Sequence, residues 1–207
     1  MRFLITAGPT REYLDPVRYF SNASTGRMGA ALAEAARGAG HHVTLVLGPV
    51  EAELPPVDEL VRVVSAQEMF NAVAARFGEC DAFLAAAAVA DYRPEVRASE
   101  KIKKGEGGLT LDFEPTPDIL AEMARRRRPG QVLVGFCLES EDLAARAREK
   151  LAAKGLDLVV ANGPAAIGAD RQDALLIASD GACERLSGVT KADLARRILA
   201  AVQEVSA

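Results

Sequence analysis

Arg2-Phe3-Leu4-Ile5-Thr6-Ala7-Gly8-Pro9-Thr10, followed after a long loop by Ser21-Asn22-Ala23-Ser24-Thr25-Gly26-Arg27-Met28-Gly29, decides how this chain is read. The first stretch is an apolar, β-branched run closed by glycine and proline, which predicts a buried strand ending in a turn. The second places hydroxyls and glycines directly ahead of an amphipathic segment, residues 26–39. Unpaired N–H groups at a helix start, with glycine allowing close approach, suit phosphate oxygens. Ordinary capping by Ser24 or Thr25 accounts for the same residues.

The strand–helix rhythm continues outward. Further strands are predicted over residues 43–47, 81–88, 132–136 and 158–161, and helices over 66–77, 117–128, 141–154 and 191–205. Residues 174–178 and 183–186 read as a late hairpin around Ser179-Asp180-Gly181-Ala182. Strands apolar throughout, alternating with helices, predict an α/β fold: a Rossmann-like, mostly parallel sheet covered by helices on both faces. The whole chain, 1–207, reads as a single domain. Two stretches break the rhythm, residues 8–25 and 91–114, and the second, with Pro94, three lysines and three glycines, reads as a flap or excursion.

Composition narrows the function. Net charge is −4 and 49% of residues are hydrophobic, so there is no general field for nucleic acid and ample material for a core. No apolar stretch approaches the ~20 residues of a membrane span. Cys80, Cys137 and Cys183 are odd in number and widely spaced, as in reduced thiols of a cytoplasmic protein. His41 and His42 follow Gly40 as a polar helix-to-strand turn, and no HExxH pattern is present. A nicotinamide-dependent reductase is the natural competitor. It lacks support because Gly8, Gly26 and Gly29 do not form GxGxxG and the second strand ends in Leu47-Gly48-Pro49, without the acid a ribose needs. A non-catalytic nucleotide-binding module remains a further alternative.

Several residues at predicted strand ends carry chemistry. Asp91 follows the apolar run at the carboxyl edge of the sheet, where open α/β folds bind ligands. Lys101, Lys103 and Lys104 could close over a polyphosphate or simply be solvated. Thr116-Pro117-Asp118 reads as a helix start with Thr116 as the cap. Phe136 could cover a base or pack in the core. Cys137 reads as a buried, inert thiol. Arg146, Lys150 and Lys154 recur every four residues as one basic column, and Asn162 stands in a turn at the same edge as Asp91.

Taken together, Ile5-Thr6-Ala7-Gly8-Pro9-Thr10-Arg11-Glu12, Asp15-Pro16-Val17-Arg18, Ser21-Asn22, Ser24 to Gly29, Ala87-Ala88-Val89-Ala90-Asp91-Tyr92, Glu100-Lys101-Ile102-Lys103-Lys104 and Pro117-Asp118-Ile119-Leu120 resemble the bacterial phosphopantothenate-cysteine ligases of coenzyme A biosynthesis. The resemblance implies a cytoplasmic homodimer that joins 4'-phosphopantothenate to L-cysteine through an acyl-cytidylate, using CTP and Mg²⁺; the same ligase using ATP is an alternative. It places the nucleotide near Gly8, Ser24, Gly26, Gly29, Ala85, Ala86, Ala87, Asp91, Lys101, Pro117, Asp118, Ile119, Leu120, Phe136, Lys150, Lys154 and Asn162. Lys101 would aid acyl-nucleotide formation, while Asn22 and Arg18 would bind the pantothenate portion and its activated carbonyl. Metal ligands are not assigned. Cys137-Leu138 and Ser140 depart from the family's usual small residues and Thr. Because the chain begins beside the first strand, the reading expects a stand-alone ligase with no FMN, and leaves open a separate decarboxylase as partner.

Overall fold

Side chains alternate along the first strand, β1 (Arg2–Ala7): Phe3, Ile5 and Ala7 enter one apolar core, Leu4 the other. A central strand buried on both faces needs cover on both, and the helices supply it. The computed structural model describes residues 1–51 and 53–206. After β1 come a small hairpin, β2 (Arg11–Tyr13) and β3 (Tyr19–Ser21), then α1 (Arg27–Gly38), β4 (His42–Leu47), β5 (Glu59–Arg62), α2 (Ala66–Phe77) and β6 (Ala82–Ala85). A second hairpin, β7 (Tyr92–Pro94) and β8 (Phe113–Pro115), leads to α3 (Ile119–Arg126), β9 (Val132–Leu138), α4 (Leu143–Ala153) and β10 (Leu158–Asn162). A 3-10 turn (Pro164–Ala166) precedes β11 (Arg171–Ala178), β12 (Cys183–Thr190) and α5 (Lys191–Ser206).

The main sheet runs β12-β11-β10-β9-β6-β1-β4-β5, parallel from β10 to β5, with β11 and β12 antiparallel to their inner neighbours. Helices α1 and α5 cover one face, through Leu32, Ala33, Ala36, Leu194, Ile198 and Val202. The other face is covered by α2, α3 and α4, through Met69, Val73, Phe77, Leu120, Met123 and Ala147. Each large apolar side chain removed from water contributes roughly 1.5–3 kcal/mol, so these two layers dominate stability. The predicted architecture is the one observed. From β1 the chain winds to β4 on one side and returns to β6 on the other, and the gap between the carboxyl ends of β1 and β6 is the fold's natural crevice.

Local boundaries differ from the sequence reading for identifiable reasons. The strand predicted over 81–88 ends at Ala85. Gly8, at φ 77°, turns β1 away there, and Ala87 and Ala88 bond instead to Thr6 Oγ1 (3.3 Å) and the Gly8 carbonyl (2.9 Å). Asp118, not Thr116, caps α3: its Oδ1 accepts from Ala121 N–H at 3.0 Å, while the Thr116 hydroxyl donates to the Ala90 carbonyl at 2.6 Å. That helix accordingly starts at Ile119, and α4 starts at Leu143 behind Asp142, which sits at φ 49°. The late hairpin is longer than predicted and forms the sheet edge. The irregular stretches 8–25 and 91–114 hold the short hairpins β2–β3 and β7–β8, too brief to read from periodicity.

Candidate functional site

Two adjoining cavities open at the carboxyl ends of the parallel strands. The larger, about 710 Å³, is walled by Asn22, the segment after β6, the start of α3, Phe136 and one side of α4. The smaller, about 190 Å³, lies between the start of α1, the ends of β9 and β10, the 3-10 turn and the start of α5. Ala23, Ala87, Ala88, Phe136, Leu138 and Ile167 line both.

The structure gathers most of the predicted residues here. Asn22, Ala85, Ala87, Asp91, Pro117, Asp118, Ile119, Leu120, Phe136, Lys150 and Lys154 line the larger cavity. Ser24, Ala86, Ala87, Phe136 and Asn162 line the smaller. Gly8, Gly26 and Gly29 line neither; they shape the wall from behind. A Cβ at Gly29 would meet that of Ala7 at 2.3 Å, so only glycine lets α1 seat this close to β1.

Chemistry in the larger cavity is set by cations held in place. Lys150 Nζ donates to the Phe136 carbonyl at 2.6 Å, and Lys154 Nζ pairs with Asp118 Oδ2 at 2.9 Å. Arg146 instead faces solvent beside Glu149, so the predicted single basic column divides along α4. Burial, followed by the neighbouring Lys154 ammonium, pushes Lys150 below the ordinary lysine value. Burial would raise Asp118, but the Ala121 N–H and Lys154 outweigh it and hold the carboxyl below its usual range. Asn22 Nδ2 donates to the Val89 carbonyl at 2.9 Å, which fixes the amide at the cavity rim. Burial raises the Cys137 thiol, as fits an inert position. Among the described residues no three His, Cys, Asp or Glu side chains gather as a metal cage.

Arg18 and Lys101 lie outside both linings. Arg18 forms an ion pair with Asp15 and also donates to the Ile102 carbonyl. Asp15 is buried, and its Oδ1 accepts from Val17 and Arg18 N–H, both at 2.8 Å, while Oδ2 accepts from Ile102 N–H at 3.1 Å. Burial alone would raise this carboxyl; the Arg18 guanidinium and the three N–H groups together hold it well below the carboxylate range. One carboxylate thus ties the excursion to the β2–β3 hairpin. Lys101, next to this anchor, is exposed.

Sequence reasoning missed Glu139, Leu138 and Ile167 in the larger cavity and Gln172 and Lys191 in the smaller. The last two come from elements far along the chain with no local motif. One signal was available: Lys191 is a cation in the first turn of a helix, against the macrodipole.

The chain is similar to known proteins over its whole length. The model of the DNA/pantothenate metabolism flavoprotein C-terminal domain matches residues 1–205. The coenzyme A biosynthesis bifunctional protein CoaBC of Bacillus subtilis is 44% identical over 209 residues, covering 99% of this chain and 50% of that protein. Its Escherichia coli counterpart is 47% identical over 165 residues, covering 78% of this chain and 41% of that protein. The crystal structure of the C-terminal domain of a CoaBC superposes with TM-score 0.83 at 36% identity, covering 99% of this chain and 93% of that one. The chain spans about half the length of the curated relatives it matches over most of its length.

Proposed function

The chain belongs to the DNA/pantothenate metabolism flavoprotein C-terminal domain family, and from that premise we propose that it is a phosphopantothenate-cysteine ligase using CTP. The observation that carries the reading is the convergence of Asn22, Asp91, Asp118, Lys150 and Lys154 on one cavity at the fold's switch point, with a second cavity sharing its rim. Two adjoining cavities suit a reaction that must hold a nucleotide and an acid together.

A carboxylate does not form an amide with an amine at neutral pH without activation. In the proposed course a carboxylate oxygen of 4'-phosphopantothenate attacks the α-phosphorus of CTP, pyrophosphate leaves, and an acyl-cytidylate results. The cysteine amine then attacks the acyl carbon, CMP leaves with the C–O electron pair, and the nitrogen releases one proton to solvent. Lys150 and Lys154 hold the nucleotide, and Asp118 keeps Lys154 in register. Asn22, with one N–H fixed on Val89, offers its second N–H to the developing oxyanion, a contribution on the order of 100- to 1000-fold. Lys101 approaches from the excursion to balance charge during acyl-cytidylate formation. Arg18 acts indirectly, by anchoring Ile102. Mg²⁺ would come in on the triphosphate, as hard cations commonly bind through substrate phosphates, and would offset its charge.

The proposal extends to a cytoplasmic homodimer. Tyr19, Phe20, Tyr92 and Phe113 are exposed on the two small hairpins, and the rings of Phe20 and Phe113 meet edge-on at 5.4 Å. An aromatic face of this kind fits a second copy of the chain, and sedimentation velocity at micromolar concentration should give twice the monomer mass. For the reaction, protein is mixed with Mg²⁺, CTP and 4'-phosphopantothenate, and pyrophosphate is followed before and after L-cysteine is added. Acyl-cytidylate should accumulate without cysteine and convert to the amide with it; absence of both products removes the ligase reading.

A further inference from the structure

The last helix begins with a cation where its dipole favours an anion. Lys191, the first residue of α5, turns its ammonium back under the 3-10 turn, where Nζ donates to the Ala166 carbonyl at 3.1 Å and to Gln172 Oε1 at 3.0 Å. Gln172 is only 7% exposed. An ammonium can only donate, so it fixes the orientation of the amide: Oε1 faces Lys191 and the Nε2 donors turn away from it. Nε2 meets no acceptor among the described residues. Both side chains line the smaller cavity, with the hydroxyl residues Ser24 and Thr25 and the amide of Asn162, and no carboxylate is among its lining residues.

Positive charge at this corner is under-compensated. Burial, then the nearby Arg27 guanidinium, pushes Lys191 below the ordinary lysine value, with Asp170 opposing. Asp170 already pairs with Arg27 at 3.3 Å. What remains is an amide donor on a largely buried side chain, its unpaired N–H still open to solvent, with an ammonium and two hydroxyls around one small space, the donor set that recognises a phosphate group. We infer that Gln172 and Lys191 form a phosphate seat for one of the two substrates, taking either the terminal phosphate of the nucleotide or the 4'-phosphate of the acid. The identity of these carriers rests on the ligase reading; the chemistry of the seat does not.

Calorimetric titration of the full chain with CTP, CMP, 4'-phosphopantothenate and pantothenate tests this. Lys191→Met should weaken CTP or 4'-phosphopantothenate by about tenfold or more, the scale of a lost charge-assisted hydrogen bond. Binding of the counterpart without that phosphate, CMP or pantothenate, should stay unchanged. A loss confined to CTP assigns the nucleotide, and one confined to 4'-phosphopantothenate assigns the acid. Lys191→Arg should recover part of the affinity. Gln172→Glu places a carboxylate beside Lys191, which preserves the local pairing and the thermal midpoint while repelling the same phosphate. Unchanged affinities in both Lys191→Met and Gln172→Glu, or equal losses for phosphorylated and unphosphorylated ligands, overturn the seat. Phosphate binding that depends on Lys191 in a chain that forms no amide would overturn the ligase reading alone.

Discussion

The two irregular stretches of the sequence, 8–25 and 91–114, become opposite kinds of structure around one crevice. The first begins in a wall packed too tightly to move: a Cβ at Gly48 would lie 1.8 Å from the Pro9 carbonyl oxygen, and one at Gly26 would lie 2.9 Å from Val50 Cγ1. In the second, exposed Lys101, Lys103 and Lys104 lie in the long loop that joins β7 to β8 and are tied down beside Ile102 by Asp15 and Arg18. Backbone close approach makes the wall rigid, whereas the lysine segment is held through a few contacts to the β2–β3 hairpin, the Asp15–Arg18 anchor at Ile102, the Ala98 N–H on the Leu14 carbonyl and Arg97 over Tyr13, and its lysines stay exposed. The difference separates a surface that must hold a nucleotide from one that must bring a charge to it.

The most severe test of the rigid wall is Gly48→Ala. Overpacking against a backbone carbonyl should cost about 3 kcal/mol or more, a fall of roughly 6–12 °C in Tm for a chain this size. Thermal unfolding measures it, and an unchanged Tm would mean the wall yields. On the other side of the comparison, Lys101→Gln should slow single-turnover pyrophosphate release about 100-fold while CTP affinity stays unchanged, because Lys101 lines neither cavity. Equal losses in rate and affinity would place Lys101 among the holding residues instead.

Asp15→Asn sharpens the anchor's role. Trypsin should cut after Lys101, Lys103 and Lys104 faster in the variant than in the parent, read by timed mass spectrometry. The pH dependence has a definite sign. Asp15 is held below the ordinary carboxylate value of 3.8, so its stabilising contribution is complete above that value and is lost only as pH falls toward its lower folded value. Protection of the lysine segment should therefore persist from neutral pH down to the ordinary carboxylate range. The smallest effect belongs to Lys154→Met: its pair with Asp118 is part-exposed, so stability should change by no more than about 1 kcal/mol, seen in urea titration, while CTP affinity falls.

Much of the fold was legible because burial on both faces writes itself into strand composition. Phe3 to Ala7, Val43 to Leu47 and Leu158 to Ala161 are mostly apolar for that reason, and the helices announce themselves by spacing. The short hairpins were not legible, since three-residue strands such as Tyr92–Pro94 carry too little pattern to distinguish from loop. At the site, local signals located Asp118 and Asn162 but misassigned the helix cap to Thr116, whose hydroxyl is drawn across to the Ala90 carbonyl.

Sequence alone determined the layered α/β class, the family motifs and the strand ends where a ligand would sit, because these depend on periodicity and on residues adjacent in the chain. Only the tertiary structure decided which cations share a cavity. Lys150 and Lys154 separate from Arg146, their neighbour on the same helix, and Lys191 joins Ser24 from the far end of the chain. The physical reason is that a side chain's direction is settled by the acceptors brought within reach when the sheet closes, and those acceptors, the Phe136 and Ala166 carbonyls and Gln172, lie 14, 25 and 19 residues from the lysines they hold.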